Sequence, residues 1–536
     1  MSSGVAAASP IVMQSLKDLH PVDADMPYQL SEIGSPSIVV TVTQVEESIR
    51  SFPKGSAGGR DGLRPLHLMD ILQCPVSRSR DLYLKRLTAY VNISLAGKLP
   101  ASIAFFITSA PVYPLIKNGG GVRPIAVGEV LRRLTSKLAS SAIRQTAVEH
   151  LSSLQVGVGI KNGTEAIIHA VNNLLSNEEN CRNNVLLKVD LSNAFNRISR
   201  ATIFQEVQNI CPLLSPWVEY CYSTSPLLFV ENETILSSAG VQQGDPLGPL
   251  LFALALQPLL RRIRDSCPNL KLNAWYLDDG VLVGPGEEVN LALEIISSVG
   301  PSYGAHINLP KCELWSLSEV SSTDIFNPVI PRAVDGTALL GTAVGSDQFI
   351  ASVVQNRLVK IDDLLSKIRS LEDAQLEYVL LRSCAGLPKF IHVMRTTSPQ
   401  SLGPTLLEMD SLLEEACRSI MGNCALLDRE LDKLRLPISY GGCGVLSALW
   451  LAQPAFIAST SQSLVLQSAL TALDFAPRAK LDSLLDRHQR DFPAHFQVTD
   501  DDLMNSEEPQ ELLSNQIFRR VFEVLEATTV SPREGN

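Results

Sequence analysis

Two adjacent carboxylates stand between apolar runs in the stretch Trp275-Tyr276-Leu277-Asp278-Asp279-Gly280-Val281-Leu282-Val283. Aromatic and aliphatic residues precede the carboxylates, and a glycine and a second apolar run follow them. This pattern predicts a tight β-hairpin with Asp278 and Asp279 at its tip. Since Asp-Gly is also an ordinary surface turn, the hairpin alone does not indicate chemistry.

A third carboxylate, Asp190, ends a strand predicted at residues 185–190, which is apolar apart from Lys188. An aspartate at a strand end also has an ordinary explanation, because Asp often terminates strands. If the three carboxylates meet, however, they cannot all remain ionised without cations. Carboxylate oxygens suit Mg²⁺, which keeps water and binds one or two carboxylates together with substrate phosphates. Two such ions about 4 Å apart stabilise both oxygens of an in-line phosphoryl displacement, the chemistry of a nucleotide polymerase palm.

The composition is that of a folded protein kept in a reducing compartment. The chain has 536 residues, of which 45% are hydrophobic and 19% charged, enough for two to four domains or subdomains. Its ten cysteines form no CxxC pair and no Cys/His ligand spacing, so we expect neither disulfides nor a zinc site. No secretory signal is evident, and the longest apolar stretch (247–260) is too short for a membrane span. We therefore expect a soluble intracellular protein without membrane contacts.

The net charge of −11 is unfavourable for a partner rich in phosphate, which needs a basic surface. The excess is uneven, because residues 401–536 carry 11 basic and 20 acidic side chains. The remaining 400 residues are close to neutral and can still present a basic groove.

The order of predicted elements indicates an α+β fold. Strands mixed with helices fill the first part of the chain, and helices dominate from about residue 348. A first helix is expected near Thr43, with Thr43 and Glu46 as its capping box. A glycine-rich loop follows at residues 54–62. It has no P-loop spacing, so a phosphate-binding loop and a flexible connector between helices are alternative interpretations.

Two cations flank a predicted hairpin turn, Asn118-Gly119-Gly120, between strands at 109–117 and 121–127. Lys117 lies before the turn and Arg123 after it. Such a pair is commonly solvated surface charge, and a grip on a polyanion is the sharper alternative.

Taken together, these motifs resemble a reverse transcriptase, and are most similar to those of non-LTR (LINE-like) retrotransposons. Five blocks occur in the family's order over about residues 54–345: Arg123-Pro124-Ile125, Asp190 with Ala194-Phe195, Gln243-Gly244-Asp245-Pro246-Leu247, Tyr276-Leu277-Asp278-Asp279 and Asn308-Leu309-Pro310-Lys311. Each block is a weak motif, whereas five in order are specific. The resemblance implies a right-hand polymerase with fingers, a palm built on an antiparallel sheet, and a thumb, followed by an α-rich C-terminal region.

The resemblance also implies roles for nine residues. Asp190, Asp278 and Asp279 would hold two Mg²⁺ ions, with Mn²⁺ as an alternative. Lys117 and Arg123 would bind the incoming triphosphate, and Lys311 would protonate the departing pyrophosphate. Phe195 would lie under the sugar and exclude a 2′-hydroxyl, while Gln243 and Gly244 would line the nucleotide pocket, where glycine permits close backbone approach. An ordinary core ring for Phe195 and an ordinary surface lysine for Lys311 are the alternatives from sequence.

The expected organisation is a flexible segment at 1–40, reverse transcriptase fingers and palm at 41–345, thumb-like helices at 346–400, and an α-rich region without assigned function at 401–536. Asn196 departs from the aspartate usual after Ala-Phe, which predicts a changed structural contact. No endonuclease, Cys/His cluster or RNase H carboxylate set is recognisable, so we expect a polymerase module alone.

Three functions stay open at this point. The favoured one is an RNA-directed DNA polymerase, a nucleotidyltransferase whose partners would be an RNA template, a DNA or RNA primer and dNTPs; its protein partners cannot be inferred. An RNA-dependent RNA polymerase shares the hairpin, but Phe195 argues against it. A catalytically silent nucleic-acid-binding scaffold would retain the fold without activity. An intracellular location in the nucleus or cytoplasm is expected, nuclear if synthesis is primed at the target DNA.

Overall fold

The computed structural model describes residues 4–22, 34–117, 120–176, 181, 183–317, 323–471, 477–490, 492 and 497–527. The first elements are α1 (Pro10–Leu19), α2 (Val42–Arg50), α3 (Pro65–Leu72), α4 (Ser77–Leu95), α5 (Ala101–Thr108), β1 (Ala110–Ile116), β2 (Val122–Ala126), α6 (Val130–Ala142), α7 (Arg144–Leu151), α8 (Gly163–Leu175) and β3 (Asn184–Val189). The next are α9 (Ala194–Arg197), α10 (Arg200–Ile210), α11 (Ser215–Tyr222), β4 (Leu227–Val230), β5 (Glu233–Leu236), α12 (Gly248–Ser266), β6 (Leu272–Tyr276), β7 (Asp279–Pro285), α13 (Gly286–Val299), β8 (Glu313–Ser316), β9 (Arg332–Ala333), β10 (Gly336–Leu339) and β11 (Thr342–Gly345). The helices after these strands are α14 (Asp347–Arg369), α15 (Ala374–Leu380), α16 (Ile391–Thr396), α17 (Pro399–Leu402), α18 (Pro404–Ile420), α19 (Asp428–Arg435), α20 (Ala448–Leu470), α21 (Pro477–Gln489), α22 (Asp500–Asn505) and α23 (Pro509–Ala527).

The central sheet has five strands in the order β6-β7-β3-β8-β9. Pairing is antiparallel except between β8 and β9. Its middle strand, β3, is buried on both faces: Val185 and Leu187 point into the large core around α12, and Leu186 into the core under α8. This is why β3 is an almost continuous apolar run without polar alternation.

A second sheet has the order β2-β1-β4-β5, with β1 and β2 before strand β3 in the chain and β4 and β5 after it. Strand β1 pairs antiparallel with β2 and parallel with β4. Two residues of the turn predicted between β1 and β2, at 118 and 119, lie outside the described residues.

The N-terminal segment differs from its prediction. Residues 10–19, within the segment expected to be flexible, form helix α1, which starts after the capping residue Ser9. Met13 and Leu16 of α1 are buried against the β1-β2-β4-β5 sheet. The helix was not predicted because Met13 and Leu16 become core residues only through their packing against that sheet.

Helix α2 begins two residues earlier than predicted. Thr41 is the capping residue, and its capping box is formed with Gln44. The expected box of Thr43 and Glu46 is therefore wrong, since both residues lie inside the first two turns of the helix.

After residue 346, the described structure is helical, and the larger of its two cores includes Ile350 of α14, Leu406 of α18, Leu451 of α20 and Phe518 of α23. This core continues across position 400, where sequence predicted a boundary. Helix α20 also packs along α8, where the Asn173 side-chain amide donates to Gln467 over 2.9 Å. The predicted α+β order is confirmed. Within the described residues, no helix has the length and apolarity needed to cross a bilayer.

Candidate active site

The three carboxylates meet at one end of the central sheet because of its register. Val189 of β3 pairs with Gly280 of β7, so Asp190, the next residue, lies beside Asp279. Asp278 precedes Asp279 in the turn between β6 and β7. All three line a cavity of about 790 Å³.

The hairpin turn is not where the Asp-Gly pattern predicted it. Its two turn residues are Leu277 and Asp278, and Tyr276 pairs with Asp279 across them. Leu277, not the glycine, takes the left-handed conformation, with φ of 57°. Gly280 instead makes room for a ring, because a Cβ there would lie 2.7 Å from the Trp275 side chain.

Gln155 holds this turn in place, a role that the sequence did not reveal. Its side-chain oxygen accepts from the Leu277 N–H over 2.7 Å, and its nitrogen donates to the Leu277 carbonyl over 3.0 Å. The oxygen also accepts from the Gly157 N–H over 3.1 Å, and the Gln155 side chain is fully buried. The signal available in sequence was the glycine-punctuated turn that starts at this residue.

The other carboxylate is held by the segment that carries Lys311. The Asn308 N–H donates to the Asp190 carbonyl over 2.9 Å, and the Asp190 N–H approaches the Cys312 sulfur at 3.5 Å. A short 3-10 turn, Leu309–Lys311, follows directly. Lys311 thus lines the same cavity as Asp190.

Lys117 and Arg123 reach this cavity from the second sheet. Arg123 pairs with Leu115 across β1 and β2, and the Lys117 N–H donates to the Gly121 carbonyl over 3.1 Å. The pKa of Lys117 is lowered by partial burial and by the positive charges of Arg123 and Lys311. The three cations are therefore close enough to repel one another, which is the arrangement that an anionic ligand relieves.

The ionised forms of the carboxyl groups are disfavoured by burial and by one another's negative charge. Burial, followed by the charge of Asp190, raises the pKa of Asp278, whereas Arg123 and Lys117 oppose that rise. Burial and the charges of Asp278 and Asp190 raise the pKa of Asp279 to about 6. A divalent cation would remove this repulsion, so the donor chemistry fits one.

The carboxylates do not by themselves enclose a metal ion. Among the residues that the structure describes, no group of three or more His, Cys, Asp or Glu side chains stands close enough to hold a metal as a closed cage. An ion that binds through one or two carboxylates, water and substrate phosphates does not need such a cage.

Phe195, Gln243 and Gly244 form another wall of the cavity. The Phe195 ring stacks on Phe252 with centroids 4.7 Å apart, which fixes its orientation. Gly244 has φ of +125°, and a Cβ there would lie 2.2 Å from the Ala126 carbonyl oxygen. The adjacent Gln243 carbonyl accepts from the Ala126 N–H over 2.7 Å, so this loop is seated directly on the end of β2.

Asp245, next in the same motif, is engaged elsewhere. It forms a buried ion pair with Arg132 at 2.9 Å, where each side chain is only 2% exposed. The Tyr222 hydroxyl donates to the same carboxylate over 2.8 Å. This buried pair holds the loop, and sequence gave Arg132 no role.

All nine residues predicted for the site thus line a single cavity. They come from five separate parts of the chain, which the two sheets bring together. Their individual roles stay predictions.

Residues 115–344 match the family model described as reverse transcriptase (RNA-dependent DNA polymerase). The retrotransposable element SLACS 132 kDa protein of Trypanosoma brucei gambiense is 26% identical over 432 residues, which cover 77% of this chain and 34% of that protein. The chain therefore spans about a third of the length of this curated relative.

Two solved structures are also similar at a low level. Telomerase from Candida albicans in complex with a TWJ fragment of telomeric RNA is 12% identical, with a TM-score of 0.39 over 81% of this chain and 66% of that chain. Apo telomerase from Candida tropicalis is 13% identical, with a TM-score of 0.36 over 70% and 68% of the two chains. The family match confirms the predicted reverse transcriptase domain at residues 115–344, and the sheets and helices of the described residues agree with the predicted α+β fold.

Proposed function

We propose that this chain, which carries a reverse transcriptase domain at residues 115–344, is an RNA-directed DNA polymerase of a non-LTR retrotransposon. It would add dNTPs to a primer 3′-hydroxyl on an RNA template by two-metal phosphoryl transfer. The observation that carries the proposal is the meeting of three carboxylates and three cations in one cavity of about 790 Å³. Acidic and basic groups that line one cavity suit a substrate that is a metal-bound polyphosphate.

The metal would be held by Asp190 and Asp278, with Asp279 beside them. When bound, Mg²⁺ would supply charge neutralisation for the carboxylates and for the phosphate oxygens. No binding geometry is implied beyond the shared cavity.

The protein side chains would act mainly by positioning and by charge. Lys117 and Arg123 would orient the triphosphate, because they reach the carboxylate-lined cavity from the second sheet. Lys311 would give a proton to the departing pyrophosphate. Phe195, fixed by its stack on Phe252, would leave no room for a 2′-hydroxyl and would favour dNTPs.

The test is primer extension on poly(rA)/oligo(dT) with Mg²⁺ and either dTTP or UTP. We expect extension with dTTP only, abolished in Asp278→Ala/Asp279→Ala and retained in Asp265→Ala, which removes an exposed carboxylate at the end of α12. Phe195→Ala should admit UTP.

The other outcomes identify the alternatives. Extension with UTP by the unaltered chain would make it an RNA polymerase. No extension by folded protein would favour the silent scaffold, and RNA binding would then be measured directly. The retrotransposon origin, the RNA copied and a nuclear site of action are parts of the proposal that this assay leaves to experiments in cells.

A further inference from the structure

Helix α1 extends from the second sheet to the catalytic cavity. Its C-terminal residue, Leu19, lines that cavity together with Phe195. Met13 and Leu16 anchor the helix among the buried residues of β1, β2, β4 and β5. Just beyond the helix, the Ser238 hydroxyl donates to the Pro21 carbonyl over 3.2 Å. The N-terminal segment is thus docked on both sides of Leu19.

Two asparagine side chains connect Leu19 to the short helix that carries Phe195. The Asn193 side-chain nitrogen donates to the Leu19 carbonyl over 2.7 Å. The Asn193 side-chain oxygen accepts from the side-chain nitrogen of Asn196 over 2.9 Å. Asn196 is only 3% exposed, so these bonds have little competition from water. Since Phe195 lies between the two asparagines in sequence, the same relay ties Leu19 to the short helix that carries Phe195.

In this relay of two hydrogen bonds, each asparagine donates toward Leu19, and the amide of Asn196 sets that order. Asparagine offers both a donor and an acceptor, whereas an ionised aspartate only accepts. An aspartate at 196 would face the Asn193 oxygen, acceptor against acceptor. Rotation of the Asn193 amide by 180° would let its nitrogen donate to the aspartate, but it would turn its oxygen toward the Leu19 carbonyl, which cannot donate. One link therefore fails in either orientation, and the residue after Ala194-Phe195 decides whether α1 is held.

We propose that Leu19 is a wall of the nucleotide pocket, and that Asn193 and Asn196 are positioning residues that hold it beside Phe195. This inference rests on the proposed polymerase function, which it deepens: the N-terminal helix helps to determine how tightly the incoming dNTP is bound. Asn196, in place of the aspartate usual in this motif, then goes together with a docked helix α1, because only the asparagine allows both hydrogen bonds.

The test compares three variants with the full-length chain. Asn193→Gly removes the relay but tolerates the left-handed backbone of that position, where φ is 52°. Asn196→Asp reverses the polarity, and Leu19→Ala shortens the wall while leaving its carbonyl bonded. Asn290→Asp is the matched control, because it makes the same change on exposed helix α13, where Asn290 donates to Glu294.

Two measurements distinguish the docking of helix α1 from the role of Leu19 in the nucleotide pocket. Hydrogen exchange of the α1 amides should accelerate in Asn193→Gly and Asn196→Asp, and stay unchanged in Leu19→Ala and Asn290→Asp. In primer extension, all three test variants should raise KM for dTTP about three- to tenfold, equivalent to about 0.7–1.4 kcal/mol of binding free energy, with kcat within about twofold of the parent.

Faster exchange in α1 without a change of KM would overturn the role of Leu19 as a pocket wall. A raised KM without faster exchange in Asn196→Asp would overturn the relay and point to a direct charge effect on the carboxylates. If the unaltered chain fails to extend a primer, the proposed function fails, while the exchange measurement still tests the relay because it needs no turnover.

Discussion

Gln155→Met removes the side-chain amide that fixes the β6-β7 turn while keeping nearly the same volume. Three hydrogen bonds are lost, two to Leu277 and one from Gly157. At about 0.5–1.5 kcal/mol each, their loss should lower the free energy of unfolding by about 2–4 kcal/mol. A turn released by about 1 Å would also misplace Asp278, and a misplacement of that size costs about 100-fold in rate.

The assay pairs urea unfolding with primer-extension kcat. Gln467→Met is the matched control, because Gln467 is equally buried and hydrogen-bonded but lies in α20, away from the cavity. Both variants should lose stability, and only Gln155→Met should lose kcat. A folded Gln155→Met with kcat within about twofold of the parent, against the 100-fold expectation, would refute the view that this amide positions the turn.

Three further predictions concern burial, titration and backbone space. Asp245→Asn leaves the Arg132 guanidinium buried without its counter-charge and should lower the free energy of unfolding by about 3–5 kcal/mol in urea titration; replacing both residues with apolar ones should restore most of that loss. Burial lowers the pKa of His169 to about 4, so stability is complete above about pH 6.5 and should fall by about 3 kcal/mol as the pH drops to about 4, a slope absent from His169→Gln. Gly244→Ala should reduce primer extension at least about tenfold, because its Cβ meets a β2 carbonyl; Gly4→Ala is the control and should keep activity, because Gly4 has the same φ of +125° but open space around it.

The residues that line the candidate site were predictable because they follow local patterns. The apolar run before Asp190 marks a buried strand, and strand ends in one sheet must share an edge. Register then brings Asp190 to Asp279 without any long-range information beyond the pairing itself. The cations flanking the β1-β2 turn were visible in the same local way.

What failed in prediction depends on contacts that are distant in sequence. Gly280 resembled a turn residue, but its role is set by the Trp275 ring that packs over it. For Gln155 the only local signal is the glycine-punctuated turn that it starts, since its partner Leu277 lies 122 positions away. Helix α1 was hidden for the same reason, because only the second sheet makes Met13 and Leu16 core residues.

The packing of α20 along α8 has a consequence for synthesis on the ribosome. His169 contacts Ser459 across 290 positions, and Asn173 contacts Gln467 across 294. At typical elongation rates, roughly 15–60 s would separate the emergence of α8 from that of α20. During that interval α8 already covers one face of the central sheet, but the side of α8 that packs against α20 stays exposed. A nascent chain that stalls before α20 would therefore expose apolar surface and depend on chaperones, even though every residue that lines the candidate site had already been made.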